Sequence, residues 1–216
     1  MLRPHLNETE NVMSEVTVES QGKPKYSDWK RFKNVATYHG IAALALVTLW
    51  AAADTWYVTT GLLIANIINI LNALVAGSLL ASLFHEWGHF SGARISKSYS
   101  PIVGQVKNQF MFGFNFEKNN TNQFLSMSIG GPIGNWLLVI LVFLLVPMDN
   151  AGRVALLAMT VAKAISVCIF EIPVILRTVK GGDPQTELDR QLGNGAGDKG
   201  QVLGYLGGAL LWLVAI

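Results

Sequence analysis

Residues Thr55–Phe84, TWYVTTGLLIANIINILNALVAGSLLASLF, run for 30 positions without a Lys, Arg, Asp or Glu and end directly on His85-Glu86-Trp87-Gly88-His89. About 20 apolar residues in a helix cross the hydrocarbon core of a bilayer, so this run predicts a transmembrane helix. Its last turns carry an H-E-x-x-H motif, with ionisable groups at a depth where they are costly and usually functional. On a helix the two histidines rise by ~6 Å and rotate by only ~40°, so both face one metal ion. Glu86 lies beside them as a base for a water activated by that ion. Hydrogen bonding of His85 and His89 to other helices is the plainer alternative, but it gives Glu86 no role.

The rest of the composition agrees with a membrane chain. Of 216 residues, 51% are hydrophobic and 14% are charged, where soluble domains carry about 25% charged residues. The first 34 residues are polar, carry both signs of charge and lack the apolar core of a secretory signal. They read as a retained tail, followed by one membrane domain over 35–216. The single cysteine, Cys168, excludes an intrachain disulfide framework and a cysteine-rich zinc site. A net charge of +2, with basic residues scattered among apolar runs, excludes a nucleic-acid binder.

Five apolar runs predict an all-α polytopic bundle of four to five spans, at about 35–53, 55–92, 124–147, 153–176 and 201–216. The last is short enough to be a tilted or partial span. If the tail is cytoplasmic and the spans alternate, 14 Lys and Arg lie inside, Arg153 alone lies outside, and Lys163 lies within the membrane. That bias predicts a multi-pass protein with its N-terminus and the H-E-x-x-H end in the cytoplasm.

Between the second and third spans, loop 97–121 changes character. Phe110, Phe112, Phe114 and Phe116 alternate with Met111, Gly113 and Asn115, the period of a strand with one aromatic face. Pairing with Pro101–Lys107 predicts a small β-hairpin at the cytoplasmic membrane face, either resting on the interface or holding an extended peptide by strand addition. Ser78, Ser82, His85, His89 and Gly92 share one helical face, so the serines either line a water path or bond their own helix. The third span opens with Gly130-x-x-x-Gly134, a packing motif, followed by Asn135, whose buried amide needs partners. Residues 180–200 are polar and Gly-rich and read as a cytoplasmic loop.

An H-E-x-x-H ending one membrane helix, a strand-rich loop, and Gly131-Pro132-Ile133-Gly134-Asn135 opening the next span together resemble the site-2 protease family of intramembrane zinc metalloproteases. Phe84 and Phe90-Ser91-Gly92-Ala93-Arg94, which flank the first motif, resemble that family too, and the likeness runs from about Thr55 to Asp183. It implies one Zn²⁺ per chain, held by His85 and His89, with Glu86 as catalytic base. It implies that Asn135 positions substrate or stabilises the tetrahedral intermediate, and that an aspartate completes the metal site. The substrates implied are transmembrane proteins, cut in or near the bilayer as in regulated intramembrane proteolysis.

The chain departs from the family where that aspartate should be. Phe170 stands three residues before Pro173 in place of an asparagine, and Asp183 follows the proline by ten. Asp183, in the turn Gly181-Gly182-Asp183-Pro184, is the expected third ligand, with Glu171 and Asp189 as alternatives. Glu171 would suit a membrane zinc protease of the CAAX-processing or heat-shock type. A non-catalytic metal transporter or an inactive scaffold is the reading from another class, and Glu86 argues against it. Lys163 is assigned no role in catalysis; snorkelling or pairing with an acid accounts for it.

Overall fold

The computed structural model describes residues 28–103 and 110–216. These form six α-helices: α1 Asp28–Thr60, α2 Leu63–Ile95, α3 Thr121–Leu145, α4 Ala151–Val179, α5 Pro184–Gly193 and α6 Ala196–Ala215. The first four are long and apolar enough to cross a membrane, which supports a membrane protein. Large apolar side chains such as Leu44, Leu71 and Leu144 lie exposed on the outside of the bundle, where water would penalise them and lipid would not.

Several boundaries differ from the sequence reading. The proposed tail over 1–34 overlaps α1 from Asp28 onward, and residues 1–27 lie outside the described set. The apolar runs predict a break between the first two spans at Asp54, but α1 passes through Asp54 and stops at Gly61, whose φ of +65° a side chain would disfavour. Asp54 is tolerated because Arg153 grips its Oδ2 through Nη2 at 2.7 Å and Nε at 2.9 Å, while Asn69 and Asn150 donate to Oδ1. The cluster ties α1 and α2 to the start of α4.

α2 and α3 run antiparallel with their backbones in contact. A Cβ on Gly88 would fall on the Gly130 carbonyl, one on Gly92 on the Ser126 carbonyl, and one on Gly134 on the Phe84 carbonyl. The glycine motif is thus a packing device, and Ser126 Oγ locks it by donating to the Gly92 carbonyl at 2.9 Å. Asn120 caps α3 in a reciprocal box with Gln123.

The segment 180–200, read as a loop, is largely helical. Asp183 caps α5, Pro184 occupies its first turn, and α5 docks on α4 through buried Glu187, which pairs with Arg177 at 2.6 Å and with Arg190 at 3.1 Å. Pro173 inside α4 has no N–H for the Ile169 carbonyl. Gln191 Nε2 of α5 donates to that carbonyl instead, at 3.4 Å. α6 begins at left-handed Gly195, before the predicted start of the last span, and is not among the four helices apolar enough to span. Gly200, Gly204 and Gly208 set it against the backbone of α4.

The expected hairpin is not confirmed. No strand forms among the described residues; there is one isolated antiparallel bridge, Ile102–Phe112. Backbone bonds Val103 N to Met111 O at 3.0 Å, Gly113 N to Pro101 O at 3.0 Å and Asn115 N to Tyr99 O at 3.4 Å hold the two stretches side by side. Residues 104–109, including most of the predicted partner stretch, lie outside the described set. The alternation keeps its meaning without a ladder. Met111 is fully buried against Val35, Phe90 and Ile102, and the four phenylalanines line a cavity.

Candidate metal centre

The helical spacing of the motif sets His85 and His89 one above the other on α2, and the bundle brings Glu171 of α4 to meet them. The two Nε2 atoms are 3.0 Å apart, and Glu171 Oε1 lies 3.2 Å from the first and 3.1 Å from the second. Each ring is oriented from behind. His85 Nδ1 donates to Asn135 Oδ1 at 2.9 Å, and His89 Nδ1 donates to the Met127 carbonyl at 2.8 Å. Asn135, 1% exposed, is itself held by a bond from Nδ2 to the Ala81 carbonyl at 3.3 Å.

These bonds fix the tautomers, leaving a lone pair on each Nε2. Two such lone pairs and a carboxylate oxygen within 3.2 Å repel one another unless a proton or a metal ion lies among them. Glu171 Oε2 is buried without a hydrogen-bond partner among the described residues, and buried carboxylate oxygens rarely go unmatched. Two imidazoles and one carboxylate are a donor set that catalytic zinc uses. The residues present therefore fit a zinc ion, and His85, His89 and Glu171 are a group among the described residues that could hold a metal. Gly131 makes room for the two rings, since a Cβ there would stand 2.5 Å from His89 Cε1 and 2.7 Å from His85 Cε1.

Asp183 is not brought to this group. It is exposed at the tip of α5, where Oδ1 accepts from Thr186 N at 2.9 Å and from Thr186 Oγ1 at 2.8 Å. The backbone bond from Thr186 holds its carboxyl below the usual range. Gly181 and Gly182 turn the chain into α5 rather than back to the histidines. Asp189 is exposed on the same helix. Asn135 stands behind His85, with its Oδ1 on the ring's Nδ1 and its Nδ2 on the Ala81 carbonyl, a geometry that orients the imidazole. Ser82 donates to the Ser78 carbonyl at 3.2 Å, which uses its hydroxyl within its own helix. Arg177, the natural alternative partner for Glu171, is engaged by Glu187.

The group opens on a cavity of about 610 Å³. Glu86, 6% exposed, faces into it, and no described residue bonds its carboxylate. Phe110, Phe112, Phe114 and Phe116 form one wall, Leu188 and Leu192 of α5 another, and the inward face of α4 a third. The contribution of α5 had a signal in the sequence: Asp183-Pro184 is a cap followed by a first-turn proline.

The chain matches no protein-family model, no curated protein and no solved structure, so the reading of the site rests on its own geometry.

Proposed function

We propose that the chain is an intramembrane zinc endopeptidase that hydrolyses peptide bonds in or near transmembrane segments of membrane-protein substrates. The observation that carries this is Glu86, a buried residue whose carboxylate has no hydrogen-bond partner among the described residues, in the same cavity as Glu171 and two histidines whose rings are held from behind. A carrier or storage site needs the donors but not the adjacent base.

His85 and His89 through Nε2 and Glu171 through Oε1 would hold the ion, which when bound supplies Lewis acidity toward water and toward a peptide carbonyl. Glu86 accepts the proton of the attacking water and returns it to the leaving amine, as general base and then general acid. Asn135 and the Met127 carbonyl keep the histidine rings in register. The phenylalanine wall and α5 limit the access of bulk water. A substrate helix must unwind to expose a carbonyl, and the Phe110–Phe116 stretch lies beside the site where such a peptide would run.

Two family readings share this chemistry. Gly131 and Asn135, both packed on the histidines, favour the site-2 protease likeness. Glu171 as donor favours the CAAX-processing or heat-shock type. For orientation we place the metal end in the cytoplasm. Lys30, Arg31, Arg94, Lys97, Lys118, Arg177 and Lys180 belong to that end, and Arg153 to the other.

Glu86→Gln tests the function. It should keep zinc, because Glu86 is not a donor, and lower peptide cleavage by about 10²–10⁴-fold. Normal cleavage by that variant would sink the mechanism.

A further inference from the structure

α4 turns Lys163, Ser166, Val167, Phe170, Glu171 and Val174 into the cavity, a spacing of three and one that follows a single helical face. Ser166 is self-satisfied, its Oγ donating to the Ala162 carbonyl at 2.8 Å. Lys163 is not. The ion-paired acids among the described residues are otherwise engaged: Glu171 by both histidines, Glu187 by Arg177 and Arg190, and Asp54 and Asp149 by Arg153, while Glu86, the other acid on the cavity lining, makes no ion pair with Lys163. Lys163 forms no ion pair among the described residues. Among the described residues it is also the one lysine on a lining that has no arginine. Eight residues before Glu171, it stands about 12 Å along the helix toward the middle of the span. An ammonium at that depth is costly without an anion, and most of the wall around it is aromatic or aliphatic.

We propose that Lys163 anchors a carboxylate of the substrate, either an Asp or Glu side chain or a free C-terminal carboxylate, about two to four residues from the bond that is cut. The proposal rests on the peptidase reading above. A peptide crossing from Glu171 to Lys163 in extended form advances ~3.3 Å per residue, so 12 Å is roughly four residues, and the reach of the lysine shortens this. A carboxylate is the anion a polypeptide carries, and Lys163 shares one wall with the metal donors along which the polypeptide must lie. The device selects substrates that bring a negative charge into the membrane, where few segments have one.

The experiment uses the full chain in nanodiscs with short Ala-Leu peptides. One Asp, or isosteric Asn, is moved through each position, and each peptide is made with a free or amidated C-terminus. Wild type should favour Asp over Asn, or free acid over amide, by about 10–100-fold in kcat/KM at one short distance from the cut. Which of the two contrasts carries the preference identifies the source of the carboxylate. Lys163→Arg should keep the preference, Lys163→Met should bring the ratio to about one, and Lys163→Glu should turn it toward peptides carrying Lys. Zinc content and melting temperature of each variant report on its fold. Binding of the same peptides to Glu86→Gln protein reads the preference without turnover. Equal binding of charged and neutral peptides overturns the proposal whether or not cleavage is seen. So does a Lys163→Met that keeps the preference or slows every peptide alike. Failure of the peptidase reading looks different: wild type and Glu86→Gln would be equally inert toward every peptide.

Discussion

The exchange of Asp183 for Glu171 rests on what surrounds each carboxylate. One is exposed and spends an oxygen on a helix cap; the other is half-buried, with one oxygen on two imidazoles and the other buried without a hydrogen-bond partner among the described residues. Glu171→Ala should therefore lose most bound zinc and all cleavage, since two histidines hold the ion poorly. Asp183→Ala should keep both. Metal analysis of the purified variants decides, and zinc retained by Glu171→Ala would return the third ligand to another acid. Asn135 has a matching test. If it orients His85, Asn135→Ala lowers zinc affinity by about 10–100-fold. If it binds an oxyanion instead, the variant keeps its metal and loses only kcat.

At the scale of elements, the least expected part is α5, because a Gly-rich polar stretch gives no apolar period to read. What makes it a helix is a cap, a first-turn proline and the Glu187–Arg177 pair, and only the last is tertiary. The cap carries a pH dependence. Thr186 holds the Asp183 carboxyl below the usual range, so its contribution is complete above the ordinary aspartate pKa and is lost as pH falls through the depressed value. Hydrogen exchange of the first turn of α5 should stay slow at neutral pH and quicken only in that acid window. Asp183→Asn, which can still cap, should remove the dependence. The Phe110–Phe116 stretch is tested by Asn115→Pro, which deletes the bond to the Tyr99 carbonyl. Cleavage should fall more than zinc content; equal loss would make the stretch structural.

For the whole molecule, the two ends of the bundle have different tasks. One holds the donors and the cavity; the other holds Asp54, Asn69, Asn150 and Arg153, which tie three helices together with no access to the site. Asp54→Ala leaves Arg153 with the exposed Asp149 in place of its buried partner and should cost about 2 kcal/mol of stability, read by unfolding in bicelles. Zinc stoichiometry of the folded fraction should be unchanged. Topology is checked by Lys118→Cys, which should resist an impermeant thiol reagent in intact cells. Labelling from outside would invert the proposed orientation.

The sequence determined those properties that depend on near neighbours along the chain. Charge-free runs of span length gave the helices, i and i+4 spacing put His85 and His89 on one face with Glu86 beside them, and alternation set the phenylalanines apart from Met111. Glycines four apart announced a close helix approach. Tertiary structure decided whatever required two distant segments to meet. Asp54 stays inside α1 because Arg153, 99 residues away, neutralises it. Glu171 reaches His89 across 82 residues, while Asp183, with the better local signature, is consumed by its own helix. Asn135 faces the back of His85 because glycine contacts fix how α3 lies on α2. Which carboxylate stands beside the histidines follows from the packing of α4 against α2 rather than from any spacing within α4.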